Sequence, residues 1–399
     1  MRFRVGGAGI LLGLAALACQ EKLATPTDCP ELCPGTSLVV RDTVLVARLG
    51  LDSTFTGYLS ADQVGALLVS KGLAAGEARA FAVFPARSDS VTIDGVPQGY
   101  TIDSVGFVLD LIARDTTVHD LRLILHRIPV TVDTNTTFGE LDAALTPETL
   151  IDSVMVHDTL AAGKVTVIVK GAALDRIVPT EGDGGLLGIG VRLDAAAATG
   201  VRLASLNSAD DPPTFVTWVH ANVADTTKQR NVITLTPNSA NYVIEPPPPP
   251  NPQELFLGGR SGSRMLLRFE LPELIKDSGA VVRATLELTP TGPLKGLHGD
   301  PGALQVRSVL VDLGAKSPAI SSVSAVAELL AGATTVQSVD VRDVVTPWLG
   351  KNGTIPALLL GLAPEGGTFS RPEFFSTLAG AAAPRLRITY ALPTHPGHP

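Results

Sequence analysis

The sequence predicts an all-β protein made of two tandem antiparallel β-sandwich domains with only short helices. Three observations carry that prediction. Apolar and polar residues alternate with period two in run after run, Gly, Pro and Asp separate the runs, and helical periodicity is confined to short stretches. The runs are TVLVARL (43–49), TIDSVGFVLDL (101–111), LRLILHRIPVTV (121–132), KVTVIVK (164–170), NVITLT (231–236), VVRATLELT (281–289), LQVRSVLVDL (304–313) and PRLRITY (384–390). Period two sends successive side chains to opposite faces, so each run is a strand with one face toward a core.

Two stretches read as helix. TFGELDAALT (137–146) opens on a Thr137/Glu140 capping box. SAVAELLAG (324–332) places Val326, Leu329 and Leu330 on one helical face. Neither is long enough to organise a domain, and many short strands with few helices indicate a sandwich or barrel.

The chain begins MRFRVGGAGILLGLAALACQ. Arg2 and Arg4 precede an apolar stretch from Ile10 to Leu17, too short to span a bilayer as a helix of about 20 residues. Residues 1–18 therefore read as a secretory signal peptide. Ala16-Leu17-Ala18-Cys19 resembles a bacterial lipobox, which implies cleavage before Cys19 and its lipidation; ordinary cleavage at the same bond also fits A-x-A. Gln20 rather than Asp after the cysteine points, by analogy with bacterial lipoprotein sorting, to the outer membrane. Residues 19–35 form a tether without apolar periodicity, and within it Cys29 and Cys33 suit a small disulfide loop in an oxidising compartment. Free thiols remain an alternative, while a zinc site lacks a second Cys or His pair.

Laid over each other, the two halves agree in order and spacing. Residues 66–85 match 254–272, pairing Arg79 with Arg264 and Phe84 with Phe269. Val105, Phe107 and Leu109 match Ala284, Leu286 and Leu288. KVTVIVKGAAL then matches QSVDVRDVVTP, GLLGIGVRL matches PALLLGLAP, and 203–219 ends like 374–390. The register assigns a first domain to 36–222, a second to 230–392 beginning with NVITLT, and a tail to 393–399. It places Pro246–Pro250 in a loop inside the second domain, although a proline run taken alone reads as a linker.

RMLLRFELPELIKDSGAVVRATLELTP, VQSVDVRDVVTPWLGKN and FFSTLAGAAAPRLRITY resemble, in that order, the pattern of DNRLRE-type domains, over roughly residues 231–392. The matching positions are Phe269, Ala284, Leu286, Leu288, Trp348, Pro384, Leu386 and Tyr390. The resemblance implies carbohydrate-binding-module-like jelly rolls, an extracytoplasmic binding or structural role, and a core position for Trp348. The first half joins it only through the internal repeat and has no Trp at that position.

The composition narrows function further. A net charge of −8 with no Lys/Arg cluster argues against nucleic acid as a partner. There is no G-x-S-x-G, H-E-x-x-H, P-loop or complete EF-hand, so the sequence does not read as an enzyme; paired acids brought together across loops are the one route to a carbohydrate-active site. His126 reads as lying on an outward strand face, and His395 and His398 lie in the proline-rich tail. Asp210, Asp211, Glu181 and Asp183 have the chemistry for a structural calcium, but surface turns favour the same residues, and no cofactor is expected. Trp218, Tyr58, Tyr100 and Tyr242 are the candidate ligand platform. Trp218 alternates out of step with inward Phe215, Thr217 and Val219, so it faces away from the core and suits packing against the neighbouring domain or stacking on a sugar. The reading is a lipid-anchored envelope protein with a noncatalytic role, binding a polysaccharide or an envelope protein, or serving as a scaffold without a small ligand.

Overall fold

The computed structural model describes residues 38–73, 76–177, 183–246 and 251–393. The leader, Cys19, Cys29, Cys33, Glu181, His395, His398 and Pro247–Pro250 of the proline run lie outside the described residues.

The strands in chain order begin with β1 (Leu38–Val46) and β2 (Ser53–Thr56). Next come β3 (Ala66–Lys71), β4 (Ala78–Phe84), the small hairpin β5 (Val91–Ile93) and β6 (Val96–Gln98), and the long β7 (Tyr100–Arg114). They continue with β8 (Arg122–Ile128), β9 (Leu150–Met155), β10 (Gly163–Lys170), β11 (Leu187–Asp194) and β12 (Thr199–Ala204). Then follow β13 (Thr214–Ala221), β14 (Arg230–Leu235) and β15 (Ser239–Ile244). The last group is β16 (Glu254–Phe256), β17 (Ser263–Arg268), β18 (Ala280–Leu288), β19 (Gly302–Ser308) and β20 (Ala325–Leu329). It ends with β21 (Gln337–Asp340), β22 (Ala357–Ala363), β23 (Glu373–Phe375) and β24 (Arg385–Pro393). The fold is all-β with short helices, as the alternation predicts.

Two sandwiches emerge, but not along the expected boundary. Strands β3, β4 and β7–β15 form one 11-stranded sheet that curls to face itself, with β14–β13–β7–β10 on one side and β15–β4–β11–β8–β9 on the other. Its core is centred on Phe84, Phe107 and Phe215, whose rings lie 4.9–6.3 Å apart. The other sandwich packs the four-stranded sheet β1–β24–β18–β21 against the five-stranded β2–β17–β22–β19–β20, with β16–β23 at the side. Its core holds Leu45, Leu286, Leu360, Ile388 and Trp348. The first is thus inserted between β2 and β16 of the second, and we call them the inserted and the split sandwich.

Two expectations are corrected here. NVITLT does not open the second sandwich: Leu235 lies opposite Phe215 of β13, and β15 sends Ala240, Tyr242 and Ile244 into the inserted core. DTVLVAR does not open the first: β1 runs along β24 from Leu38↔Pro393 to Val46↔Arg385 and puts Leu45 and Ala47 into the split core. The sheets therefore divide after β15, and the proline run connects the two sandwiches rather than two strands of one. The second correction is SAVAELLAG, which forms strand β20 along β19, with Leu329 buried and Val326 exposed. Ala, Leu and Glu favour helix locally, but the open edge of β19 offers a backbone ladder and takes the segment.

The helix expected at 137–146 forms as α1 (Phe138–Ala144), with both capping-box bonds made. It buries Leu141 against Phe81, Ile128 and Val243, covering the outer face of β15–β4–β11–β8. Asp142 on this helix pairs with Arg79, whose guanidinium also lies over the Phe138 ring. In the split sandwich Phe55, Ala319 and Ile355 likewise cover the outer face of β17–β22–β19, around Leu266, Val309, Ala357 and Leu359.

The two sandwiches meet through buried groups. Arg202 of β12 pairs with Asp300 at 2.6 Å and donates to the Gly367 carbonyl at 3.1 Å. Leu297 and Phe369 of the split sandwich pack into the inserted core. A Cβ at Gly200 would come within 2.9 Å of the Phe369 ring, so glycine permits this approach.

Candidate binding face

Each sandwich has one covered outer sheet face and one open one. The open face of the inserted sandwich belongs to β14–β13–β7–β10. Antiparallel register sets Val232, Trp218, Ser104 and Lys170 in one row across it. The next row holds Thr234, Val216, Gly106 and Ile168.

Trp218 is half-buried, and its indole leans over Gly106 of the neighbouring strand. A Cβ at Gly106 would stand 2.7 Å and 2.8 Å from two carbons of the six-membered ring, so only glycine leaves room for the indole to lie there. Ser104 and Gly106 are buried in consequence, while Val232 and Ile168 beside them are 56% and 50% exposed. Thr166 and Thr234 stand exposed among these apolar groups and Lys170 at the end of the row. Lys164 pairs with Asp211 at 2.7 Å, and that hydrogen bond raises the lysine pKa. The face can hold a flat ligand by apolar contact and hydrogen-bond its edges with threonine hydroxyls.

The other aromatic candidates do not join Trp218. Tyr242 is a correction: it is 3% exposed in the inserted core, where burial raises its pKa and its hydroxyl donates to the Arg260 carbonyl at 3.1 Å. Strand alternation hides this, because the whole of Ala240–Ile244 is buried, between the core on one side and α1 on the other. Tyr58 lies in the crossover after β2, its hydroxyl donating to the Ala315 carbonyl at 2.6 Å and its ring 4.0 Å beneath the Arg264 guanidinium. Burial raises its pKa, and Arg264 in turn grips Glu365 at 2.9 Å. Tyr100 accepts from Arg87 Nε at 3.0 Å and donates to the Ser88 carbonyl, which ties down the loop carrying β5 and β6. Both are therefore occupied with local structure.

Trp218 does not serve as the contact between sandwiches. It rests on its own sheet, whereas the contact uses Gly200, Arg202, Thr116, His298, Asp300 and Phe369. His126 is also corrected. It is 1% exposed, because the 144–149 turn folds over the outward face of β8 and its Nδ1 lies 3.0 Å from the Thr146 carbonyl. Asp183 pairs with Arg127, and Asp210 is bonded by Ser208 and by its own backbone N–H to that hydroxyl. Among the described residues no group of three or more His, Cys, Asp or Glu could hold a metal ion.

One group of residues was not singled out from the sequence. The open face of the split sandwich, β1–β24–β18–β21, forms a depression of about 600 Å³ lined by Asp42, Val44, Arg283, Thr285, Glu287, Ser338, Arg387 and Thr389. Arg387 donates to Glu287 at 3.1 Å, and Thr389 donates to Asp42. The signal was present in the outward parity of VRATLE and PRLRITY.

No helix among the described residues is long and apolar enough to cross a membrane. No family model matches the chain, and no curated protein matches it. Among solved structures it is similar to infectious bursal virus-derived T=1 particles, at 10% identity over 90% of this chain and 80% of that one, with a TM-score of 0.13. So low a score carries no argument, and the fold stands on the strand pairing alone.

Proposed function

We propose that the chain is a noncatalytic binding protein of the cell envelope, held to the outer membrane by lipid on Cys19, which takes a glycan on the Trp218 face. The observation that carries the ligand class is the indole laid over Gly106 on an open sheet, with Val232 and Ile168 exposed beside it. A pyranose ring offers one apolar face of C–H groups and a rim of hydroxyls. That pattern suits an aromatic plane bordered by Thr166 and Thr234. The resemblance of the second half to DNRLRE-type domains and the lipobox-like leader support the address.

The test is native electrophoresis of residues 36–393 through gels with and without embedded polysaccharides. Retardation by one polysaccharide, abolished in Trp218→Ala and weakened in Gly106→Val, is the expected result. Retardation unchanged in both variants would move the site off this face. No retardation across a broad panel would replace the glycan reading with that of a scaffold for an envelope protein.

A further inference from the structure

The two sandwiches share one plan of strand pairing. β13 lies between β14 and β7 as β24 lies between β1 and β18. β4 lies between β15 and β11 as β17 lies between β2 and β22. β10, β8, β9 and β12 pair with β7, β11, β8 and β3 as β21, β19, β20 and β23 pair with β18, β22, β19 and β16. The correspondence extends to single residues. Phe107 faces Phe215 as Leu286 faces Leu386, and both pairs carry a bulge at the same place, Asp103 in one and Val282 in the other. Leu235 faces Phe215 as Leu45 faces Leu386, and Val243 faces Arg79 as Phe55 faces Arg264.

In the chain, however, β1–β2 precede the inserted sandwich and β14–β15 precede the main part of the split one. Each leading pair is built into the other repeat. The links that carry the chain across, 57–65 and 245–253, are equal in length. Both crossings lie against the same turn, 260–262. Gly57 and Leu59 donate to the Gly262 and Ser261 carbonyls at 3.2 and 2.9 Å, and Arg260 donates to the Ile244 carbonyl at 3.2 Å. Joining Thr56 to β16 and Ile244 to β3 beside that turn would leave every pairing intact and make each sandwich continuous.

We infer that the chain is a duplicated unit whose two copies have exchanged their leading strand pairs, so that the split sandwich is a strand acceptor completed by residues 38–56. The recognition is β-strand addition: backbone bonds along β24 and β17 give affinity, and side chains in fixed places give register. Leu45 and Ala47 enter the core, and Phe55 covers the second sheet. The Asp52 carboxylate accepts from the Thr377 backbone N–H at 2.8 Å and from its hydroxyl, and Arg268 donates to the Leu51 carbonyl. The inserted sandwich, with its Trp218 face, consequently hangs by both ends from the split one.

A protease site placed in 60–63 of the otherwise full chain, cut after folding, tests this. The fragment ending at the cut should stay bound through gel filtration, and labelled peptide 38–58 should replace it after mild denaturation and refolding, while peptide 230–246 should not. Asp52→Ala should speed its release on the order of tenfold, the worth of about 1.4 kcal/mol of charged hydrogen bonding. With Trp218→Phe as the background, Trp348 is the sole tryptophan and its fluorescence follows the split core throughout. Free departure of the fragment with that core intact would overturn the inference, as would failure of peptide 38–58 to enter a nicked protein that otherwise refolds. The polysaccharide gels are independent of either outcome.

Discussion

The open faces of the two sandwiches occupy the same place in the same arrangement of strands, yet one is aromatic and the other charged. Residue for residue, Trp218 corresponds to Thr389, Gly106 to Thr285, Val232 to Asp42 and Val216 to Arg387. Beneath them the inward residues stay apolar in both: Val105, Phe107 and Leu109 against Ala284, Leu286 and Leu288. Close packing ties each inward residue to its neighbours, whereas an outward residue on an open sheet answers only to water and to whatever binds there. The outer faces are therefore where the two copies are free to differ in use.

The largest effects should come from the cores, and they measure how far the sandwiches are independent. Trp348 is fully buried, its Nε1 donating to Ser308 Oγ at 2.8 Å and its ring 6.2 Å from Phe269. Trp348→Ala should cost roughly 3–5 kcal/mol in urea unfolding. With Trp218 then the sole tryptophan, its fluorescence reports the inserted sandwich. An unchanged Trp218 transition would mean that the bodies unfold separately.

Next comes the contact between them. The Arg202 and Asp300 side chains are 11% and 12% exposed, so removing one leaves the other charge buried without its partner. Arg202→Ala should cost roughly 3–5 kcal/mol and separate the Trp218 and Trp348 transitions. A single transition shifted as a whole would assign the coupling to the exchanged strands instead.

How much of this was legible follows from what strand alternation encodes. It reports which face of a strand is apolar, so it located the inward residues of both sheets, the outward position of Trp218 and the correspondence of Arg79 with Arg264. It does not report which strand lies alongside. β1 and β14 carry nearly the same pattern and fit either edge, and only tertiary pairing assigns them. Parity also failed where both faces are covered, as at Tyr242, and where good helix formers make a strand, as at Ala325–Leu329. In two repeated pairs the register read from sequence slips: Val167 corresponds to Val339, not to Asp340, and Ile189 corresponds to Leu358, not to Leu360.

His126 and Arg307 occupy equivalent positions on β8 and β19, and they set up a pH difference. Burial, and then the nearby Arg192, lower the His126 pKa, while the Thr146 carbonyl pulls the other way. The unfolded chain thus binds this proton more readily than the folded one, so stability falls as pH drops below the unfolded value of about 6.5. The slope for one proton is at most about 1.4 kcal/mol per pH unit. Urea midpoints between pH 7.5 and 5 should show it, and His126→Leu should flatten the histidine part of the curve.

The smallest expected effect bears most directly on the charged face. Arg387 and Glu287 pair across β24 and β18 with the arginine side chain 55% exposed, so water screens the pair. Arg387→Ala should change stability by only about 0.2–1 kcal/mol. If that is all the arginine contributes, the depression around it is solvated surface, and the aromatic face alone carries ligand. If Arg387→Ala leaves stability within that range but changes retardation in any polysaccharide gel, the arginine meets the ligand, and the two copies bind with different chemistry. Trp218→Ala separates these: in the first case it abolishes the retardation, and in the second the Arg387-dependent part stays in place.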